Sequence, residues 1–318
     1  MGADLITERQ VIGEFYRALK QDEGAAWIND TSNYFTSDQA IEEYAWLGMS
    51  PMMREWVGGR QANGVKENSL QIRNVHYEAT MEVLKRDLRR DKTGQLMVRI
   101  QEMARRANAH WAKLLTDLIV AGETATCYDG AEFFATDHEE GDSGAQSNDI
   151  GADISGYAVA TAGTITAPSP AEMQYVIAAG IKAIVGFLDD KGQPMNEDAT
   201  SFLVMCPVAL MNVVMQAIQT PAQVAETQTA LVAMKNKFRI DWAVNARLGS
   251  TWASKIAVFR TDAAIKSMIR QEEMGVQLKV KGEGSEYEFD NDAHQYGIDT
   301  WRNVGYGYWQ NACLVTME

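Results

Sequence analysis

The sequence predicts an α+β protein that folds into more than one lobe. At 318 residues the chain exceeds the roughly 250–300 residues at which a single hydrophobic core stops growing. One long stretch spaces its apolar residues as a helix does, and the segments before and after it alternate as strands do. Helix-type and strand-type patterns then follow each other over residues 160–270, as in a compact α/β lobe.

The N-terminal segment predicts a helix and then an extended arm. Val11, Phe15 and Leu19 lie on one face of an amphipathic helix over residues 6–21. Residues 23–40 mix polar, small and aromatic side chains without a period. Such an arm is expected to need a neighbour that holds it.

Residues 44–83 predict a long two-stranded hairpin. Apolar residues alternate from Leu70 to Val83, and the alternation shifts by one position near Asn74, which indicates a bulge. The glycine-rich residues 58–64 predict the turn. Because an isolated hairpin is marginally stable in water, this one is expected to lie on another surface.

The strongest helical pattern predicts a long spine helix over residues 93–121. Its apolar residues keep three and four spacing: Met97, Ile100, Ala104, Ala107, Trp111, Leu114, Leu118 and Ala121. Such a helix would be roughly 40–45 Å long at 1.5 Å per residue. It is expected to pack on a sheet, partly through Trp111, and a coiled-coil seam stays open as the alternative.

Residues 127–155 are rich in Gly, Asp and Ser and predict a long loop. The run from Asp137 to Glu140, which includes His138, contains residue types that bind divalent metals. No further ligands occur at a helical or hairpin spacing, so the loop is predicted to be solvated or to contact another subunit without an obligatory metal. A metal-dependent enzyme built on this loop stays open as a distant alternative.

The α/β lobe begins at a capping box. Ser169, Pro170 and Glu172 predict the start of a helix that runs to residue 188. Buried strands are predicted at residues 202–206, 238–244 and 255–259, with helices after Pro207 and over residues 262–270. No glycine-rich phosphate loop separates a strand from a helix, so nucleotide binding is not indicated.

The C-terminal segment predicts a return to strands. Alternation over residues 276–280 and 287–289 indicates two strands joined by a turn. Residues 301–317 predict one long final strand. In it Gly305 and Gly307 leave a bare strip that a neighbouring backbone can approach, and Trp309 ends that strip.

Composition and motifs exclude several classes of function. The formal net charge of −14 argues against a dedicated nucleic-acid binder, because neutralising phosphates requires a basic face. No apolar run approaches the roughly 20 residues of a membrane span, and no signal peptide is evident, so a cytoplasmic protein is predicted. The three cysteines form no CxxC pair.

Catalytic residues are not gathered into any recognisable motif. The four histidines are dispersed, and GxSxG, HExxH and the phosphate loop are all missing from the sequence. We therefore predict no catalytic residue, no cofactor and no metal. Large aromatic residues instead lie beside glycines in residues 44–48, 54–58 and 302–310, which favours packing of surfaces over bond chemistry.

Charge is segregated along the chain. Residues 85–106 contain eight basic residues against three acidic ones, and residues 114–181 contain neither Lys nor Arg. Opposite charges in neighbouring segments suit contacts between copies of one protein. Arg86, Arg89 and Arg90 are therefore predicted to meet acidic groups of a neighbouring copy, with two solvated faces as the alternative.

Several short runs resemble the major head subunit of Mu-like phages. They are Trp46-Leu47-Gly48, Arg54-Glu55-Trp56-Val57-Gly58, Cys127-Tyr128-Asp129-Gly130 and Asn303-Val304-Gly305-Tyr306-Gly307-Tyr308-Trp309-Gln310. The order of arm, hairpin, spine helix, α/β lobe and returning sheet resembles the tailed-phage major-capsid fold, which encapsulins share. Over residues 145–271 only the architecture is similar.

The resemblance implies four parts of the subunit. They are an N-terminal arm (1–43), an extended hairpin loop (44–78), a peripheral domain (79–159 and 271–318) with the spine helix and terminal sheet, and an axial domain (160–270). The hairpin carries more apolar surface than a two-stranded ribbon can bury. Trp46, Met53, Arg54 and Trp56 are accordingly predicted to contact a neighbouring subunit.

The resemblance also implies a structural role and no enzymatic one. The subunit would self-assemble, as hexamers and pentamers of itself, into an icosahedral phage head enclosing double-stranded DNA. Portal, scaffold or decoration proteins and weak, non-specific contact with DNA are the further partners implied, and no membrane. The protein would belong to the virion and be assembled in the host cytoplasm. An encapsulin-type nanocompartment shell stays open as the alternative.

Overall fold

The structure, a computed structural model, describes residues 8–21, 24–44, 70–90, 94–157, 162–219, 223–224, 227–228 and 230–318. The helices in these residues are α1 (Glu8–Gln21), α2 (Trp27–Thr31), α3 (Lys85–Arg90), α4 (Gln95–Ala121), α5 (Pro170–Gly186), α6 (Met211–Gln219), α7 (Ala230–Lys235) and α8 (Glu286–Asn291). The strands are β1 (Ser32–Thr36), β2 (Ile41–Tyr44), β3 (Leu70–Arg73), β4 (Val75–Leu84), β5 (Asp149–Ala152), β6 (Ser201–Cys206), β7 (Gln223–Val224), β8 (Thr227–Gln228), β9 (Arg239–Val244), β10 (Lys255–Arg260), β11 (Met268–Lys281), β12 (Ala293–Tyr306) and β13 (Ala312–Met317). The mixture of helix and sheet confirms the predicted α+β class. Within the same residues, no helix has both the length and the apolar character that crossing a membrane requires.

A four-stranded sheet, ordered β1-β11-β12-β4, forms one half of the molecule. Apolar and polar side chains alternate along its strands, as in a sheet with one covered face. Val276 and Leu278 face helices α1 and α4, whereas Gln277 and Lys279 are exposed. The helices supply Phe15 and Ile100, both fully buried, to a small core on the covered face. Exposed polar residues, among them Glu78, Gln277 and Lys279, dominate the opposite face, where Trp301 stacks on His76.

The predicted spine helix exists as α4 and joins this small core to a second, larger one. Ile100 and Ala104, in its first half, belong to the small core, while Leu115 and Ile119, in its second half, belong to the large one. Because one helix buries residues in both cores, the two halves of the molecule are held by a continuous rigid element. The structure agrees with a spine packed on a sheet and not with a coiled-coil seam.

The larger core surrounds a five-stranded mixed sheet ordered β5-β13-β10-β6-β9. Helix α5 packs on β13 and β10, and it begins at the predicted capping box. The Ser169 hydroxyl accepts a hydrogen bond from Glu172 N, and the Glu172 carboxylate accepts one from Ser169 N. A cap of this kind stabilises a helix by about 1 kcal/mol.

The predicted final strand over residues 301–317 is wrong as a single element. Strand β12 ends at Tyr306, a short turn over Trp309–Asn311 follows, and β13 then pairs with β10 in the other sheet. The chain therefore passes from one sheet to the other within about six residues. Alternation alone could not reveal this change, because both segments alternate as strands do.

Two other short elements are also wrong. Residues 262–270 are not a helix, because Met268 to Arg270 lie in β11 between partners on β1 and β12. Residues 287–289 are not a strand but part of α8. Ser285 caps that helix by accepting a hydrogen bond from Glu288 N. In both cases the apolar pattern was too short to separate helix from strand.

The arm is held by its own chain, which differs from the expected dependence on a neighbour. Trp27 and Ile28 of α2 are buried in the large core, and β1 pairs with β11 in parallel. Asn74 is not a bulge: it separates β3, which pairs with β2, from β4, which pairs with β12. The tip of the predicted hairpin lies outside the described residues.

Gly305 and Gly307 occupy positions where a side chain would collide with its surroundings. A Cβ on Gly305 would overlap the end of the Ile72 side chain, whose Cγ1 would be 2.8 Å away. A Cβ on Gly307 would overlap the backbone carbonyl oxygen of Lys266. The Ile72 side chain can be shortened by mutation, whereas the Lys266 carbonyl belongs to the main chain and cannot be removed.

We expect Gly305→Ala to lower the free energy of unfolding by about 1–3 kcal/mol, the usual cost of overpacking. Gly307→Ala should cost more, and Gly305→Val combined with Gly307→Val should prevent folding. Adding Ile72→Ala should offset part of the Gly305→Ala loss, so the double variant is more stable than the two single losses predict. Denaturant unfolding of the subunit measures this. Strict additivity, or a Gly307→Ala variant that melts like wild type, would contradict the packing described.

Candidate functional site

Buried polar and aromatic side chains gather where β12 passes to β13, and we call this group the Trp309 junction. It consists of Cys127, Asp129, His138, Asn148 and Trp309. Trp309 is fully buried, and the His138 ring stacks on it with centroids 3.9 Å apart and planes at 6°. The junction thus attaches the 127–149 loop to the crossing between the two sheets.

Asn148 fixes the orientation of His138. Its Oδ1 accepts a hydrogen bond from Ala135 N at 2.9 Å, and its Nδ2 donates to the Phe133 carbonyl at 2.8 Å. These backbone partners leave no ambiguity about which amide atom is oxygen. His138 Nε2, 3.2 Å from Asn148 Oδ1, must therefore donate to it.

The other ring nitrogen of His138 faces a carboxylate. Its Nδ1 lies 2.7 Å from Asp129 Oδ2. Burial opposes ionisation of Asp129, but hydrogen bonds from His138 and Cys127 outweigh it and lower the pKa of this carboxyl. Both ring nitrogens of His138 thus face oxygen atoms, so both hydrogen-bonding positions of the ring are occupied.

Cys127 completes the hydrogen bonds of Asp129. Its thiol lies 2.9 Å from Asp129 Oδ1, and burial, followed by the charge of Asp129, raises the pKa of the thiol well above its ordinary range. The thiol is therefore a proton donor here. The fold of the loop brings Asp129 and Cys127, nine and eleven positions before His138, close to that ring, a proximity that no spacing in the sequence predicts.

The three side chains are ligand types that zinc takes, so their spacing matters. Two ligands of one tetrahedral zinc ion, bound at about 2.0–2.3 Å, lie roughly 3.3–3.6 Å apart. The separations of Asp129 Oδ2 from His138 Nδ1, 2.7 Å, and of Asp129 Oδ1 from Cys127 Sγ, 2.9 Å, are both shorter, and the first is typical of a hydrogen bond. The geometry therefore fits a hydrogen-bonded anchor for the loop better than a metal centre.

The predicted packing residue Trp111 attaches the spine helix to the four-stranded sheet. The Arg302 guanidinium lies over its ring at 4.7 Å and the Arg270 guanidinium at 5.7 Å. Arg302 is almost fully buried, donates to the Ala107 carbonyl at 2.8 Å and donates to His110 Nδ1 at 3.2 Å. Burial lowers the pKa of Arg302 to about 10. No pattern in the sequence predicted that an arginine packs on the Trp111 ring.

His110 acts as an acceptor for this buried cation. Burial, followed by the charge of Arg302, lowers the pKa of His110 to about 4. The neutral ring is thus the form that the folded protein favours. His110 therefore helps to hold the buried Arg302 guanidinium in place.

The residues predicted to form subunit contacts are not brought into one place by the described structure. Four of them lie outside the described residues: Trp46, Met53, Arg54 and Trp56. Arg86 lies on α3 with its side chain 67% exposed. Arg89 and Arg90 lie on the same helix, and their side chains are outside the described part. The predicted contacts with a neighbour stay predictions.

Most of the chain is similar in sequence to known proteins. The family model "Mu-like prophage major head subunit gpT" matches residues 8–162 and 242–318. The Mu-like prophage FluMu major head subunit of Haemophilus influenzae is 23% identical over 281 residues, 88% of this chain and 62% of that protein. The major capsid protein of Escherichia phage Mu is 30% identical over 117 residues, 37% of this chain and 38% of that protein. The chain therefore spans less than two thirds of the length of either relative.

Solved structures share the fold. A chain of the bacteriophage JBD30 procapsid gives a TM-score of 0.53 at 22% identity, with 96% of this chain and 73% of that chain covered. The capsid of cyanophage P-SCSP1u gives 0.56 at 9% identity, with 93% and 89% covered. These likenesses confirm the predicted tailed-phage major-capsid fold.

We expect chelator treatment to leave the thermal transition of the protein unchanged, because the junction is closed by hydrogen bonds. Asp129→Asn should instead lower the transition temperature, since it removes the charge that His138 faces. Calorimetry with and without chelator measures both. A large downward shift on chelation that one divalent ion reverses would establish a metal centre.

His110 should make the folded subunit less stable as the pH falls. The unfolded chain binds the proton near the ordinary pKa of 6.5, whereas the folded chain binds it near 4. Between these values the unfolded state holds more protons, so stability drops with falling pH and the His110 contribution levels off below about pH 4.

His110→Asn keeps an oxygen that can accept from Arg302 and cannot titrate. Its unfolding free energy, measured by denaturant at pH 6.5 and pH 4.5, should therefore change less than that of wild type. Carboxylates titrate equally in both proteins and cancel in the comparison. Identical pH dependence in the two proteins would reject the role assigned to His110.

Proposed function

The chain belongs to the Mu-like prophage major head subunit family, and from this premise we propose that it is a major capsid subunit. Copies of it would assemble into an icosahedral phage head that encloses double-stranded DNA. The observation that carries the proposal is the family match, which extends over the spine helix, the four-stranded sheet and the Trp309 junction. The role is structural, and we assign it no catalysis, no cofactor and no metal.

The subunit organisation expected from the sequence is part of the proposal. The arm (1–43), extended loop (44–78), peripheral domain (79–159 and 271–318) and axial domain (160–270) would be its parts. The four-stranded sheet supports a peripheral unit, to which the proposed arm contributes α1 and β1. The five-stranded sheet takes strands from both proposed domains, since β5 and β13 join β6, β9 and β10 there.

The partners proposed are first of all other copies of the chain, as hexamers and pentamers. Portal and scaffold or decoration proteins would be further partners, and packaged DNA would be held by weak, non-specific contact. A formal net charge of −14 is consistent with DNA that is enclosed rather than tightly bound. The protein would reside in the virion after assembly in the host cytoplasm.

We expect the purified chain to form closed shells of uniform diameter, which negative-stain electron microscopy can detect. Trp56→Ala should leave a folded, soluble subunit with impaired shells, because the apolar hairpin is proposed to lie across a neighbour. Circular dichroism of the unassembled subunit provides the control for folding. Wild-type protein that stays monomeric at all concentrations would reject the function, whereas Trp56→Ala shells of undiminished heat resistance would reject only the role of the hairpin.

A further inference from the structure

The far end of the four-stranded sheet carries two short helices that face solvent together. Helix α3 follows β4, and α8 lies between β11 and β12, so both meet at the same end of the sheet. Lys85 N donates to the Asp292 carbonyl at 2.9 Å, and the Lys85 ammonium pairs with the Glu288 carboxylate. We call residues 85–90 and 282–292 the distal tip.

Phe289 of α8 is exposed to an unusual degree. It is 92% exposed, while Val98, the next most exposed large apolar residue of the described chain, is 61% exposed. A single exposed aromatic of this size is a typical anchor of a protein interface. Its burial by a partner would remove a large apolar area from water.

The backbone that presents Phe289 is firmly held. Glu288, its neighbour, accepts a hydrogen bond from Gly284 N at 2.7 Å and pairs with Lys85. The hydrogen bond from Lys85, and then the one from Gly284 N, lower the pKa of Glu288 to about 2. Phe289 is therefore displayed on a preformed platform, which reduces the ordering cost of binding.

Charge on the distal tip is divided between its two helices. Residues 282–292 contain five acidic residues and no basic one, whereas α3 contains four basic residues against one acidic, a net of +3. Glu286 and Asp290 are exposed on the acidic side, and Arg86 is exposed on the basic side. Val98 and Arg99 lie exposed near the start of α4, eight and nine residues beyond the end of α3.

We propose that the distal tip is a contact between copies of this chain, in which acidic α8 with Phe289 of one copy lies against basic α3 and Val98 of another. The inference rests on the proposed function and names a surface for it. A second copy is favoured because a single tip carries both charges, and copies that each hold a net charge of −14 need local opposite charges to approach. Five acidic residues around Phe289 argue against a nucleic acid as the occupant.

A charge-reversal series tests the contact within one chain. Glu286→Lys with Asp290→Lys reverses the acidic side, and Arg86→Glu with Arg99→Glu reverses the basic side. Either pair alone should raise the concentration needed for self-association about tenfold at low ionic strength, because a few exposed pairs together contribute modestly. The fourfold variant restores opposite charges at every contact and should self-associate nearly as wild type does.

Sedimentation velocity measures self-association, and melting of the unassembled subunit checks the fold of each variant. The differences should fade near 1 M salt, where the Debye length is about 3 Å. Phe289→Ser should weaken self-association at every salt concentration without changing the melting of the subunit, since the side chain touches little in its own chain.

The outcomes separate this inference from the proposed function. If wild type forms shells, the capsid role stands whatever the variants do. The tip contact is then overturned if variants with one side reversed associate normally, or if the fourfold variant fails to recover. Small oligomers of wild type that respond to the reversals as described would support the tip contact while the shell proposal fails. Unchanged association of Phe289→Ser would also overturn the inference and assign Phe289 to a different partner.

Discussion

The crossing of one strand from the first sheet to the second is the constraint on which the rest of the structure depends. Between Tyr306 and Ala312 the chain must leave β12, pass the backbone of Lys266 and enter β13. Gly307 makes this passage possible because its missing side chain leaves room for the Lys266 carbonyl. Gly307 N also donates to the Ser267 carbonyl at 2.8 Å, so the close approach is itself a hydrogen-bonded contact.

Trp309, which lies within this passage, is the residue on which the 127–149 loop packs. The His138 ring stacks on the Trp309 indole, and the Phe187 ring lies at a steep angle to it, with centroids 5.2 Å apart. Burying the Asp129 carboxylate is costly unless its oxygens are hydrogen-bonded. Asn148 and Cys127 provide the remaining hydrogen bonds, so removing one member of the junction leaves the others as unpaired buried groups. Such losses usually exceed the net value of a single hydrogen bond, which is about 1 kcal/mol.

The sequence predicted the elements that have long patterns and missed those defined by distant contacts. The 27-residue α4 and the capped helix α5 were predicted within a few residues, because periodicity and caps are local signals. Residues 262–270 and 286–291 were not, because their conformation is decided by sheet partners and by a single cap. The role of Asn148 could not be predicted from the sequence, for a different reason. It matters through backbone groups of Phe133 and Ala135, which only the folded loop brings to it.

The candidate sites divide in the same way. Gly305, Gly307 and Trp309 were recognised from a local pattern of small and large residues, and each occupies a tightly packed position. The loop histidine was noticed, but its partners Cys127 and Asp129 were not, since a turn and not a regular element sets their spacing. Phe289 was placed on a predicted strand, where one face is expected to be covered. Only the short helix α8 leaves it in solvent, so its exposure could not be inferred from alternation.

The family model matches some parts of the chain and not others, and the packing of those parts explains the difference. Residues 163–241, which the family model does not match, contain α5, α6 and α7 and yet contribute β6 and part of β9 to the five-stranded sheet. A sheet interior accepts many apolar sequences as long as volume and alternation are kept. The junction cannot vary so freely, because a Cβ at Gly307 collides with main chain and the polar groups of Asp129, His138 and Asn148 satisfy one another. Sequence similarity is therefore expected to persist where packing meets backbone and buried charge, and to fade where the core needs only apolar volume.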